Sequence, residues 1–233
     1  MITTADLIGR IAAENPEIEC FRLIRFQKQK DAKEDSGGKW QANDEEAFRF
    51  ALRLKREMAV PFWHGIMLAS FNGGGISDNC LEASLRHNTI STFALVQSAE
   101  VEDLKTIAEE NDRVAVNSEV RLKDGTIMHL PMLDFHIPFR EENTPIVKAV
   151  CRLLDIPGFI ISSGQSYHFL GLHPFDSKAM IDFLGKSLRF TPIVDDIWIS
   201  HQLQDGSCSL RLGYKNGTMP LLIEEIGTDS RTF

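Results

Sequence analysis

Apolar positions along this chain of 233 residues follow two rhythms, one of helical spacing and one of alternation. Thr4–Glu14 is amphipathic with a helical period, and Glu19–Gln27 alternates through Phe21, Leu23 and Arg25 as a strand does. Asp44–Glu57 repeats Ala47, Phe50, Ala51 and Leu54 on one helical face, with Asn43 placed as its N-cap. Between these elements the polar, Gly-Gly-bearing stretch Lys28–Asn43 reads as a surface loop. Trp63–Phe71 is an apolar run that reads as a buried strand, ended by Asn72-Gly73-Gly74-Gly75 and followed by a helix over Ser77–His87. The triple glycine lacks the further Gly and Lys of a phosphate loop, so it reads as a tight turn.

From Arg113 the strands come closer together. Val114–Arg121 and Thr126–Ile137 form a hairpin around Lys123-Asp124-Gly125. Asn143–Asp155 is a helix with Pro145 in its first turn and Ile146, Val147, Val150, Leu153 and Leu154 on one face. Phe159–Ser163 and Ser166–Leu172 are strands flanking Gly164, and Asp176–Leu188 is a helix. A last hairpin joins Ile197–Leu203 to Ser207–Gly213 around Asp205-Gly206, with Met219–Glu225 after it. Strands in hairpins interrupted by single helices predict an α+β fold, an RRM-like mixed or antiparallel sheet with helices on one side. The expected division is an α/β N-terminal part over 1–112 that packs on a core over 113–233, or one continuous domain.

Composition narrows the class. A hydrophobic share of 43% and a charged share of 25% suit an ordinary globular chain. Met1–Ala13 carries Asp6 and Arg10 and so lacks the apolar stretch of a signal peptide, and runs such as Gly158–Ile161 are too short to cross a bilayer. The four cysteines, Cys20, Cys80, Cys151 and Cys208, have no Cys-x-x-Cys spacing, which fits free thiols in a reducing cytoplasm rather than a zinc knuckle or disulfide framework. The expected setting is soluble and cytoplasmic, with no membrane partner. A net charge of −8 speaks against tight nonspecific binding to nucleic acid, which draws on phosphate neutralisation. A local basic groove, or metal ions held by the chain's own carboxylates, can still recruit nucleotides.

Three stretches carry chemistry. In Leu130-Pro-Met-Leu-Asp-Phe-His-Ile-Pro138, Asp134 and His136 are two apart and share one side of a strand. In Ile160-Ile-Ser-Ser-Gly-Gln-Ser-Tyr-His-Phe-Leu-Gly171, Ser166 and His168 share the same spacing just after a Ser-Gly turn. In Pro192-Ile-Val-Asp-Asp-Ile-Trp-Ile-Ser200, Asp195 and Asp196 enter a predicted strand, and Ser209-Leu-Arg-Leu-Gly-Tyr-Lys215 follows. Strand-borne carboxylates hold divalent ions through oxygen, and two such ions stabilise the oxygens of a nucleotidyl transfer. Ser166 and His168 can hydrogen-bond a triphosphate whose charge Arg211 and Lys215 neutralise.

This order of motifs resembles the catalytic core of archaeo-eukaryotic primases and primase-polymerases. That superfamily carries an acidic strand motif Asp-x-Asp/Glu, then Ser-x-His, then an acid beside a strand, and a later basic stretch. Asp134 matches the first acid, Ser166-Tyr167-His168 matches Ser-x-His, and Asp195 or Asp196 matches the third, over roughly Val114–Glu225. The resemblance implies a nucleotidyltransferase that uses nucleoside triphosphates with Mg²⁺ or Mn²⁺ on a nucleic-acid template. The departure is His136, which stands where the second acid belongs; imidazole suits transition metals better than Mg²⁺. Three readings stay open: a Mn²⁺-preferring enzyme with Asp134, His136 and Asp195 or Asp196 as ligands, a one-metal variant, or a degenerate module. The last would bind nucleotide or nucleic acid, or scaffold protein partners in a replication, repair or defence complex. If the motif residues do not converge, a metal-dependent hydrolase or a protein-interaction module remains.

Overall fold

The computed structural model describes residues 1–26, 42–70, 76–78, 80–81, 90–110, 114–215 and 217–227. The chain separates into two compact units, one of Met1–Arg25 with Thr92–Phe233 and one of Phe26–Ser91. These units cut the chain differently from a division at 112/113, because the first helix and the first strand share a core with the second half. The loop expected over Lys28–Asn43, the turn at Asn72–Gly75 and most of the Ser77–His87 helix lie outside the described residues, although Ala42 and Asn43 are helical. Asn43 therefore sits inside its helix rather than capping it.

The larger unit opens with helix α1 (Thr4–Glu14), held by a reciprocal cap in which Thr3 and Asp6 satisfy each other's backbone amides. Strand β1 (Ile18–Phe26) runs antiparallel to β3 (Val114–Leu122), with β2 (Ile90–Gln97) on the outer side of β1. Helix α4 (Asp103–Glu110), between β2 and β3, buries Leu104 and Ala108 in the same core. The other flank of β3 is shared end to end by β4 (Ile127–His129) and β8 (Ser209–Arg211). The side chain of Asn117 on β3 is fully buried and donates to Ser207 Oγ, Ser209 Oγ and the Cys208 carbonyl, which fixes β8 in register.

The second sheet carries the motif residues. Its order is β5 (Met132–Asp134), β7 (Tyr167–Gly171), β6 (Gly158–Ser162), β9 (Leu221–Ile226), all antiparallel. Helix α5 (Thr144–Leu154) links β5 to β6, and α6 (Ser177–Ser187) follows β7. That is the strand–helix–strand–strand–helix path of an RRM-like unit, and residues 193–195 complete it. They lie antiparallel beside the end of β5, through the Phe135–Val194 bridge and the bonds Asp195 N to Asp134 O (3.0 Å) and His136 N to Ile193 O (2.9 Å). Both faces of β6 and β7 are buried, with Phe159, Ile160, Ile161, Phe169 and Leu170 in the core.

The structure corrects three strand expectations. The strand expected over Thr126–Ile137 is two strands in different sheets, because Pro131 has no N–H to continue a ladder. Leu130 N still bonds Ser118 O of the first sheet, while Gly171 N already bonds Pro131 O in the second. The hairpin strand expected over Ile197–Leu203 is instead helix α7 (Asp196–Asp205), and Asp205-Gly206 is its end rather than a hairpin turn: Gly206 takes the left-handed C-cap conformation. The strand expected over Trp63–Phe71 is helix α3 (Phe62–Ala69) in the smaller unit. It packs Ile66 and Ala69 against Ala47 and Ala51 of α2 (Ala42–Met58). A Cβ on Gly65 would stand 2.7 Å from the Ala51 Cα, so the absent side chain is what lets the two helices approach. The face expected on α5 is also narrower than its apolar residues: Val147, Val150 and Cys151 are buried, while Ile146 and Leu153 are exposed.

Candidate nucleotide site

Antiparallel pairing of β5 with β7 sets Asp134 directly opposite His168. Cross-strand partners share a face, and the His168 Nε2 lies 3.7 Å from Asp134 Oδ1. Asp195 arrives from the other side. Its amide bonds the Asp134 carbonyl, and its Oδ1 caps α7 by accepting from Trp198 N at 2.8 Å. Asp196 instead occupies the first turn of α7 and is exposed. Of the two acids left open by the sequence, Asp195 is the one beside Asp134. His136 stands 68% exposed at the rim, its Nδ1 3.9 Å from Asp195 Oδ2.

The electrostatics follow from that crowding. Burial, with the Asp195 carboxylate second, pushes the Asp134 carboxyl up to about 7, against the opposing pull of the Phe135 amide and of Lys215 and Arg211. Burial, helped by the positive charges of Arg211 and Lys215, pushes His168 down to about 3, so its imidazole is neutral at physiological pH. Asp134 Oδ1 and His168 Nδ1 are both buried without a hydrogen-bond partner. Two orphaned polar atoms on cross-strand partners mark a place where a polar ligand is welcome.

The turn before β7 is closed by its own serines. Ser166 N donates to Ser163 Oγ, and the two hydroxyls are 2.9 Å apart. Gly164 has φ +93°, and a Cβ there would lie 2.6 Å from Thr218 Cγ2. Arg211 ties the turn to the loop after β8: its guanidinium donates to the carbonyls of Ser163, Gly213 (2.6 Å) and Thr218 (3.0 Å). Arg211 therefore holds two loops together beside the acids, while Lys215 is exposed on the second loop. Ser163 escapes a motif-based reading; its only signal is the Ser-Gly-x-Ser spacing typical of a side-chain-bonded turn.

The residues fit a divalent cation in part. Two carboxylates, one of them with an orphaned oxygen and a raised proton affinity, provide hard oxygen ligands whose mutual repulsion a cation would relieve. Among the described residues no group of three or more His, Cys, Asp or Glu side chains is arranged to hold a metal by itself. The remaining ligands would have to be phosphate oxygens and water, as in many Mg²⁺ sites. Also among the described residues, no helix is long and apolar enough to cross a membrane.

Comparison with known proteins assigns the family. Residues 93–222, more than half of the chain, match the model of the family described as AEP-like, archaeo-eukaryotic primase 1D-like. No curated protein and no solved structure matches the chain.

Proposed function

Because the chain belongs to the archaeo-eukaryotic primase 1D-like family, we propose that the place at the ends of β5 and β7 where Asp134, His168 and Asp195 meet binds a nucleoside triphosphate for nucleotidyl transfer. The observation that carries this reading is the convergence of Asp134, His168 and Asp195, drawn from three separate motifs, around two unpartnered buried polar atoms. Neutral His168 can donate a hydrogen bond to a phosphate oxygen without the desolvation cost of a buried cation. The Ser166 hydroxyl offers a further donor, and Lys215 balances phosphate charge from the adjacent loop. Asp134 and Asp195 would hold the Mg²⁺ or Mn²⁺, which supplies charge neutralisation for the transferring phosphoryl group. A hydroxyl of the nucleic-acid strand would attack the α-phosphorus, the α–β phosphoanhydride bond would break, and pyrophosphate would leave.

A second reading keeps the nucleotide and drops the chemistry. The exposed imidazole of His136 takes the place of an acid, and two carboxylates make a one-cation site rather than a two-cation one. On that reading the domain senses or stores nucleotide within a larger assembly.

The two readings share a first test. Thermal melting with GTP or dATP, each with Mg²⁺ and then Mn²⁺, is expected to rise in a metal-dependent way in the wild type. At a ligand concentration of 100 Kd the gain is about 2.7 kcal/mol. Asp195→Asn, which keeps an α7 cap, is expected to lose most of that rise. No shift with any nucleotide and metal would remove the proposal. Template-directed primer extension then separates the active enzyme from the binding module.

A further inference from the structure

The smaller unit carries a charge pattern that runs against the rest of the chain. Residues 49–56 of α2 hold Arg49, Arg53, Lys55 and Arg56 and no acid, in a protein of net charge −8. Arg49, Arg53 and Arg56 are spaced i, i+4, i+7 and so stand one above another on a single helical face. All three are exposed, as is Leu52 on the same face. At 1.5 Å per residue the stripe is about 10 Å long, the span of two to three successive phosphates of a nucleic-acid strand.

The guanidinium groups are held weakly. Arg49 pairs with Glu45 at 3.7 Å and Arg56 with Glu57 at 3.0 Å, but Arg49 and Arg56 stay 78% and 77% exposed. Exposed pairs of this kind are worth about 0–1 kcal/mol, so a phosphate can displace either carboxylate at little cost. Arg53 lies over the Phe50 ring at 5.2 Å, which orients its guanidinium without using its hydrogen-bond donors. The opposite face of α2 is already committed: Ala47 and Ala51 pack against α3. The Arg face takes no part in that packing.

We infer that the Arg49–Arg53–Arg56 face of α2 binds the phosphate backbone of a nucleic-acid strand. It gives an acidic chain the local basic surface that nucleic-acid binding needs. The inference extends the primase-type reading to the template or primer, yet its test uses neither nucleotide nor metal, so the two can fail separately.

The probe is a fluorescein-labelled single-stranded 20-mer DNA, titrated with the full chain in EDTA between 50 and 200 mM salt and read by polarisation. For the wild type, affinity is expected to fall with salt. In Arg49→Gln/Arg53→Gln/Arg56→Gln, binding at 50 mM salt is expected to weaken at least tenfold. The log–log salt slope is expected to shrink by about 2, at roughly 0.7 for each single-strand phosphate that is no longer neutralised. Gln matches Arg in helix propensity, so the fold is expected to persist. Independently, Glu45→Gln/Glu57→Gln removes the competing carboxylates and is expected to tighten binding about threefold. The inference is overturned by a wild type that does not bind DNA at 50 mM salt, by an unchanged slope in the Gln variant, or by unchanged or weaker binding in the Glu variant. It is equally overturned if polyglutamate competes as well as unlabelled DNA, because the face would then serve an acidic protein partner.

Discussion

Asp134→Asn is expected to stabilise the ligand-free protein at pH 8 and to abolish its cation-dependent binding of nucleotide. The stabilising half follows from the raised carboxyl. In the unfolded chain Asp134 ionises near 3.8, and in the folded protein near 7. Below pH 3.8 the group is protonated in both states and contributes nothing. Between these values the unfolded state gives up its proton first, so stability falls as pH rises, and above 7 the full penalty is present. The whole displacement is worth about 4 kcal/mol at 1.36 kcal/mol per tenfold change in proton affinity. The side chain keeps 27% of its exposure, so water offsets part of this, and the expected gain for Asn is about 1–3 kcal/mol. That corresponds to a melting temperature roughly 2–12 °C higher at pH 8 and about a third of that gain at pH 5, where the folded carboxyl has regained its proton, measured in EDTA. An Asn variant less stable than wild type at pH 8, or equally shifted at both pH values, would contradict the crowded-carboxyl account. A site that costs stability until its ligand arrives is a familiar property of binding clefts.

The second large effect concerns the sheet beneath the site. Gly158 opens β6 opposite Gly171 of β7 and Ile226 of β9. A Cβ at this position would stand 2.4 Å from the Leu170 carbonyl oxygen, 2.7 Å from Phe169 Cζ and 2.9 Å from Gly171 Cα. Two of those neighbours are backbone, so no rotamer change relieves the clash; the strands themselves must separate. Gly158→Ala is expected to cost about 3 kcal/mol, at the upper end of overpacking, and to lower the melting temperature by roughly 6–12 °C. Because Phe169 follows His168 directly, weaker nucleotide binding is expected to accompany the loss. A melting temperature within 2 °C of wild type would mean that β6 and β7 are not packed this closely.

How much of this could be read from the chain depends on the range of the interaction involved. That Asp134 and His168 face the same way could be read from strand alternation, whereas His136 and Ser166 fall just past the ends of β5 and β7. The RRM-like path was legible from hairpins and single helices, and Asp176 and Pro145 marked two helix starts correctly. Asp205-Gly206 misled because the same dipeptide serves hairpins and helix ends. What decides between them is the Asp195 side chain capping Trp198 N ten residues earlier. The choice between Asp195 and Asp196 was open for the same reason: only the cap and the bridge of Val194 to Phe135 turn Asp195 toward Asp134. Trp63–Phe71 was ambiguous in principle, since a short apolar run has no period, and Gly65 against Ala51 is a contact no local pattern announces. Arg211 was found as a basic residue near the site. Its bonds to three backbone carbonyls, which give it a loop-holding part, arise only in the folded chain.

The central claim is that Asp134, His168 and Asp195 form one cation-dependent nucleotide site. Its most direct test is calorimetric titration of a non-hydrolysable nucleoside triphosphate, with Mn²⁺, into wild type and Asp134→Asn at pH 8. The account predicts one site per chain in the wild type, lost on chelation of the metal, and at least hundredfold weaker binding in the Asn variant although that variant melts higher. Equal affinity in the two proteins, or wild-type binding that persists in EDTA, would contradict it.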